Sequence, residues 1–166
     1  RLRGKESQAP AKPARQRVCF IGLDAAPYSL LQRMIREGIT PNIGALTRVG
    51  SLRRMHSIYP WVSSVAWSSF MTGQNPAKHG IFGFVDRDPA TLKTYIPTAR
   101  HMLSPTLWDY LSQAGKRVVV ANVPVTFPPK PVNGVLIGCF LSPSLDKTVY
   151  PESLLPTLKR LEYRVD

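Results

Sequence analysis

The sequence predicts an α/β fold with a mostly parallel sheet flanked by helices. Three observations predict it. Short apolar runs at 18–23 (VCFIGL), 118–123 (VVVANV) and 135–141 (VLIGCFL) have the length and composition of buried strands. Segments with helical spacing, closed by glycine, alternate with them. An acid, Asp24, follows the first run directly, at the carboxyl end of a strand where open α/β sheets collect ligands.

Each element has its own justification. After the 18–23 run, residues 28–37 place Leu30, Leu31, Met34 and Ile35 on one helical face, and Gly38 is a stop. Pro41-Asn42 opens a second short helix, with Ile43, Leu46 and Val49 spaced to pack inward. Residues 51–59 read as an extended segment. Residues 64–72 read as a helix ended by Gly73 and the turn Asn75-Pro76. Over 106–114, Leu107, Trp108 and Leu111 share a face, with Ser104 as an N-cap, Pro105 at the first position and Gly115 at the end. A final helix covers 151–161.

Composition sets the limits. A chain of 166 residues with 43% hydrophobic residues suffices for one core and is short for two ordinary domains. Three or four strands make a thin sheet, so the chain reads as the beginning of a larger domain. The first residue is Arg1, which suggests a fragment or a processed product. No apolar run approaches the roughly 18 residues of a membrane span, and no signal peptide is visible. Cys19 and Cys139, both inside apolar runs, read as buried thiols; two cysteines make neither a disulfide framework nor a Cys-rich zinc site. A reducing, cytoplasmic setting is the default expectation.

Lysine and arginine number 22 against 10 aspartates and glutamates, a net charge of +12. Residues 1–17 alone carry +5 and lack apolar periodicity, which predicts a disordered basic tail followed by one domain over 18–166. Arg48, Arg53, Arg54 and His56 form a second basic cluster. Solvated surface is the plain reading of both; attraction to phosphate-bearing ligands or polyanions is the functional one. No aromatic interleaving, zinc-finger spacing or RNP motif accompanies the charge, so sequence-specific nucleic-acid reading is not expected.

The candidate chemistry lies in two places. Asp24 could cap the next helix, bind a metal, act as a general base or simply stand exposed. A hydroxyl residue at the start of the helix after 59–62 (YPWV) could cap it or act as a nucleophile, using the helix end to hold an anion. A serine nucleophile needs activation, which metal coordination can provide. The histidines give no hydrolase triad: there is no G-x-S-x-G elbow and no H-x-x-x-H pair, and His56, His79 and His101 read as exposed or structural.

Four blocks, VCFIGLDAAP (18–27), TPNIGAL (40–46), YPWVSSVAWSSFMTG (59–73) and NPAKHGI (75–81), stand in an order and spacing that resembles the type I phosphodiesterase/nucleotide pyrophosphatase family of the alkaline phosphatase superfamily. The likeness covers about 18–160, since 106–109 (TLWD), 116–124 and 126–133 look like its bacterial and archaeal branch. The resemblance implies an alkaline-phosphatase-like α/β core, incomplete in this chain, with two divalent metal ions, usually zinc. It implies a Ser or Thr that attacks phosphorus, is transiently phosphorylated and is released by water. On that resemblance Asp24 matches the first metal-ligand Asp, and Ser63 matches the nucleophile, which is also a metal ligand. Ser64, its neighbour, stands where relatives often carry Pro. The implied substrate is a phosphorylated small molecule or a nucleotide-like compound.

Three departures qualify the match. Ala25 stands where relatives commonly have Gly. Phe84 stands where eukaryotic-type members carry an Asn that holds the phosphoryl oxygen, which weakens nucleotide hydrolysis as the specific activity. The family's remaining Asp and His ligands lie well downstream, and after Ser63 the residues Asp86, Asp88, Asp109, Asp146, His79 and His101 follow no matching pattern. The chain alone would then hold at most two ligating residues. The competing expectation is a non-catalytic family member that binds phosphorylated or polyanionic partners through its basic surface. A sulfatase reading fails because Ser63-Ser64-Val65-Ala66-Trp67 lacks the Pro and Arg of the C/S-x-P-x-R signature.

Overall fold

A computed structural model describes residues 17–165. The expected tail over 1–17 falls, Arg17 apart, outside them. Helix limits follow the sequence signals closely. The first helix, α1 (Tyr28–Arg36), ends where Gly38 takes a φ of +73°, and α2 (Pro41–Val49) starts on its proline. The two pack together, and Gly44 lets α2 approach Ile35 of α1: a Cβ there would meet the Ile35 side chain at 3.3 Å. Next come α3 (Ser63–Thr72), capped by Gly73 in the left-handed conformation, and a single turn, α4 (Pro76–His79). A small antiparallel hairpin, β1 (Asp86–Arg87) with β2 (Thr94–Tyr95), leads to α5 (Leu107–Gln113).

The N-cap of α5 is Thr106, not Ser104. Thr106 Oγ1 accepts the N–H of Asp109, and Asp109 Oδ2 accepts the N–H of Thr106, a reciprocal capping box. Beyond α5, β3 (Val118–Ala121) pairs parallel with β4 (Gly134–Ile137), and β4 pairs antiparallel with β5 (Val149–Tyr150). A 3-10 turn at Glu152–Leu154 precedes α6 (Leu155–Arg160), so the expected helix over 151–161 begins as a tighter turn.

The core gathers where these elements meet. Met71 of α3, Ile81, Met102, Trp108 of α5, Val118 and Val120 of β3, Val125, Val132 and Leu136 form one buried cluster. Ile137, Val149 and Leu158 form a smaller one beneath α6.

Several expectations are corrected. The described strands include one parallel pair and two antiparallel pairs, so the mostly parallel sheet is not what this structure displays. The physical reason lies in the 18–23 run, expected as a buried strand. It has no regular secondary structure and joins no sheet among the described residues, and Val18 and Ile21 are 77% and 82% exposed. Cys19 is consequently exposed, whereas Cys139 is buried as expected. Strand β3 is covered on one face only: Val118 and Val120 are buried while Val119 stands open, so its uniform apolar run overstated its burial. Among the described residues, no helix is long and apolar enough to cross a membrane.

The capping box gives a direct test. Thr106→Ala removes a buried cap and should destabilise the domain by about 1 kcal/mol in urea unfolding. An unchanged midpoint would show that the box contributes nothing.

Candidate active site

Helix α3 has two working faces. Ser64, Val65, Ser68, Met71 and Thr72 are buried against the core. Ser63, Trp67 and Phe70, spaced four and three apart, form the opposite face. That face receives the segment 20–24, of which Phe20, Gly22 and Asp24 each meet it. Phe20 meets Phe70 edge-on with ring centroids 5.8 Å apart, and Phe70 meets Trp67 edge-on at the same separation. The Trp67 ring lies so close over Gly22 that a Cβ built there would overlap it.

Asp24 sits at the end of this ladder and accepts two hydrogen bonds. Ser63 Oγ donates to its Oδ2 at 3.1 Å, and Trp67 Nε1 donates to its Oδ1 at 3.1 Å. Thirty-nine residues separate Asp24 from Ser63 in the chain, and the fold closes that distance to one hydrogen bond. Ala25 follows with a φ of +51°, a left-handed turn that glycine adopts without cost. The residue type that relatives commonly carry there is the one this backbone favours.

This geometry removes the capping role from the readings left open by sequence. Asp24 does not cap α1, whose N-cap is Pro27 with no side-chain bond. Ser63 does not cap α3. It is the first helical residue, one earlier than expected, and the cap is Val62, which offers no side-chain acceptor. Its hydroxyl therefore turns outward to Asp24. Val65 and Ala66 donate to the Val62 carbonyl, which leaves the Ser63 and Ser64 N–H groups without a backbone acceptor among the described residues. Ser64 is fully buried and makes no bond to Asp24. The two neighbouring serines are thus separated by the helix itself.

Asp24 and Ser63 present two oxygen donors side by side, which fits one edge of the ligand sphere of a divalent cation. Among the described residues, no group of three or more His, Cys, Asp or Glu could hold a metal ion. The donors at hand fit part of a cation site and not a whole one. The other acids are spent locally. Asp86 accepts the N–H of Phe82, and Asp88 accepts those of Ala90 and Thr91 at 2.8 and 3.1 Å. The Thr91 and Ala90 backbone bonds hold the Asp88 carboxyl below its usual range. Asp109 is held in the capping box. Phe84 packs near Phe140, with ring centroids 6.2 Å apart.

His101 caps its own 3-10 turn, with Nδ1 accepting the N–H of Thr98, and stacks on Tyr95. His79, read as exposed or structural, is structural: it is fully buried. Its Nδ1 accepts the N–H of Ile81 at 3.1 Å, so the neutral ring carries its proton on Nε2 and donates it to Ser69 Oγ at 3.0 Å. In that tautomer His79 cannot take a proton from Ser69, so this Ser–His pair is a tie between α3 and α4, not a base and nucleophile. Sequence reasoning missed Trp67 as a partner of Asp24. Its place four residues after Ser63, on the same helical face, was the available signal.

A family model described as type I phosphodiesterase / nucleotide pyrophosphatase matches residues 18–164. Comparisons with curated proteins and with solved structures give no match.

Burial lowers the pKa of His79, because the charged ring would lose its hydration. Protonation would also put an N–H at Nδ1 against that of Ile81. The unfolded chain binds this proton more readily than the folded one. The contribution of His79 is therefore fully present above its ordinary value of about 6.5 and is lost as pH falls below it, toward the folded pKa. Unfolding midpoints should drop between about pH 7 and pH 5, and His79→Asn should flatten that drop. Parallel pH profiles for the two proteins would refute this role.

Proposed function

The chain belongs to the type I phosphodiesterase/nucleotide pyrophosphatase family, a hydrolytic family, and from that premise we propose a metal-dependent phosphoester hydrolase that works through a phosphorylated Ser63. The observation that carries the reading is the hydrogen bond from Ser63 Oγ to Asp24 Oδ2. It joins a hydroxyl on the first residue of α3 to the acid that ends the first apolar run.

Asp24 and Ser63 would be the ligands that this part of the protein contributes to one of two divalent ions, with zinc as the expected metal. Such an ion lowers the pKa of the serine hydroxyl and neutralises charge on phosphoryl oxygens. Ser63 Oγ loses its proton to solvent and attacks phosphorus, an Oγ–P bond forms, and the leaving oxygen departs with the electron pair of the broken P–O bond and takes up a proton from water. Water then cleaves the phosphoseryl ester and restores the hydroxyl. The Ser63 and Ser64 N–H groups at the start of α3, without a backbone acceptor among the described residues, would donate to the anion at the positive end of the helix. The substrate would be a phosphorylated small molecule or a nucleotide-like compound. With two donors in reach and no third among the described residues, residues 1–166 alone are expected to bind a cation weakly and turn over negligibly.

A second reading rests on a different observation. Arg48, Arg53, Arg54 and His56 are exposed, and the ion pairs among the described residues, Arg33–Glu37 and Lys159–Asp146, involve none of them. A protein that binds polyanions through this cluster would show metal-independent affinity that falls steeply with salt.

In the native protein, Ser63→Ala should lower cation-dependent hydrolysis of an aryl phosphodiester by at least about a thousandfold, whereas Ser64→Ala should leave a phosphorylated intermediate detectable by mass spectrometry. Undiminished turnover in Ser63→Ala would defeat the serine mechanism.

A further inference from the structure

We propose that Trp67 is a positioning residue that orients the Asp24 carboxylate toward Ser63, an inference that rests on the metal-ligand reading of Asp24. A carboxylate has two equivalent oxygens and turns freely about its last bond. Here the two are made unequal. The indole N–H occupies Oδ1, and Oδ2 is left to Ser63. Both donors come from one face of α3, four residues apart, so the helix itself sets the spacing between them.

The indole is held in turn. It lies over Gly22, two residues before Asp24, and meets Phe70 edge-on, while Phe70 meets Phe20. The side chain that aims Asp24 is therefore seated on the same segment that delivers Asp24. A carboxylate turned by 180° about its last bond would keep the same pair of oxygens. A carboxylate that tilts or swings away would lose one bond or both. Partners of this kind behind a metal ligand typically contribute about 10–100-fold to metal affinity.

Trp67→Phe keeps an aromatic ring at position 67 but removes the N–H together with the outer ring atoms that lie over Gly22. The test follows the three tryptophan indole resonances of the full chain by NMR, using Trp67→Phe to assign one of them. Asp24→Ala should move the Trp67 indole resonance and leave those of Trp61 and Trp108 in place. In Zn2+ titrations, Trp67→Phe should weaken binding by about tenfold or more. Gly22→Ala, which displaces the ring but keeps the indole, should shift the Trp67 resonance and weaken Zn2+ in the same direction. It serves as the second variant if Trp67→Phe does not fold. An unmoved Trp67 resonance in Asp24→Ala overturns the proposal. So does a Trp67→Phe protein that binds Zn2+ like the wild type while Asp24→Ala does not, an outcome that leaves the hydrolase reading standing. If Asp24→Ala itself binds Zn2+ undiminished, the metal reading fails first and the role of Trp67 fails with it.

Discussion

The seating of the Trp67 ring on Gly22 is the contact from which the rest of the site is built. The two hydrogen bonds to Asp24 lie at an exposed position, where each competes with water and contributes about 1 kcal/mol at most. Bonds of that size select an orientation but do not hold a chain segment in place. The aromatic contacts do the holding. Phe20 on Phe70, Phe70 on Trp67 and Trp67 on Gly22 bring the segment against α3 over a length of three alternating residues. Only then are Asp24 and Ser63 close enough for a hydrogen bond to matter. A side chain at position 22 would break this order at its base, because the ring and a Cβ cannot share the space.

The same helix must be fixed from behind, and its inner face does that. Val65 and Met71 enter the core, and Met71 joins the cluster that includes Trp108 and the β3 valines. His79 ties the middle of α3 to α4 through Ser69 while its other nitrogen accepts from Ile81, itself a core residue. Ser63 thus stands at the end of a helix clamped on one side by apolar packing and along its length by a neutral buried imidazole. The serine can turn outward because Val62 takes the cap position and asks nothing of it.

Much of this was legible in the sequence, and the pattern of what was not is physical. Glycine and proline fix helix ends through local backbone preference, so α1, α2, α3 and α5 fall within a residue or two of their expected limits. Asp24 and Ser63 were singled out by their settings and by the family blocks around them, and the fold brings those two together. Their contact was not legible from spacing, since it depends on how a segment thirty-nine residues away packs. The strand over 18–23 was misjudged because apolar composition reports a tendency to be buried or paired and cannot supply the neighbour. For His79, read as exposed or structural, the local KHGI sequence does not choose between the two, because its burial depends on α3 packing against α4.

The segment 18–24 therefore carries two kinds of information on its two sides. Phe20, Gly22 and Asp24 are read by α3 and hold the site. Val18, Cys19, Ile21 and Leu23 are exposed and apolar, and a period of two separates most of them from the first set. A one-residue slip of this segment would swap the sides, putting leucine where the carboxylate belongs and a branched side chain under the indole. Gly22 excludes that slip, because it is the one residue in the run small enough to lie beneath Trp67. The register of the acid, and with it the placing of the serine's hydrogen bond, is set by the absence of a side chain two residues earlier.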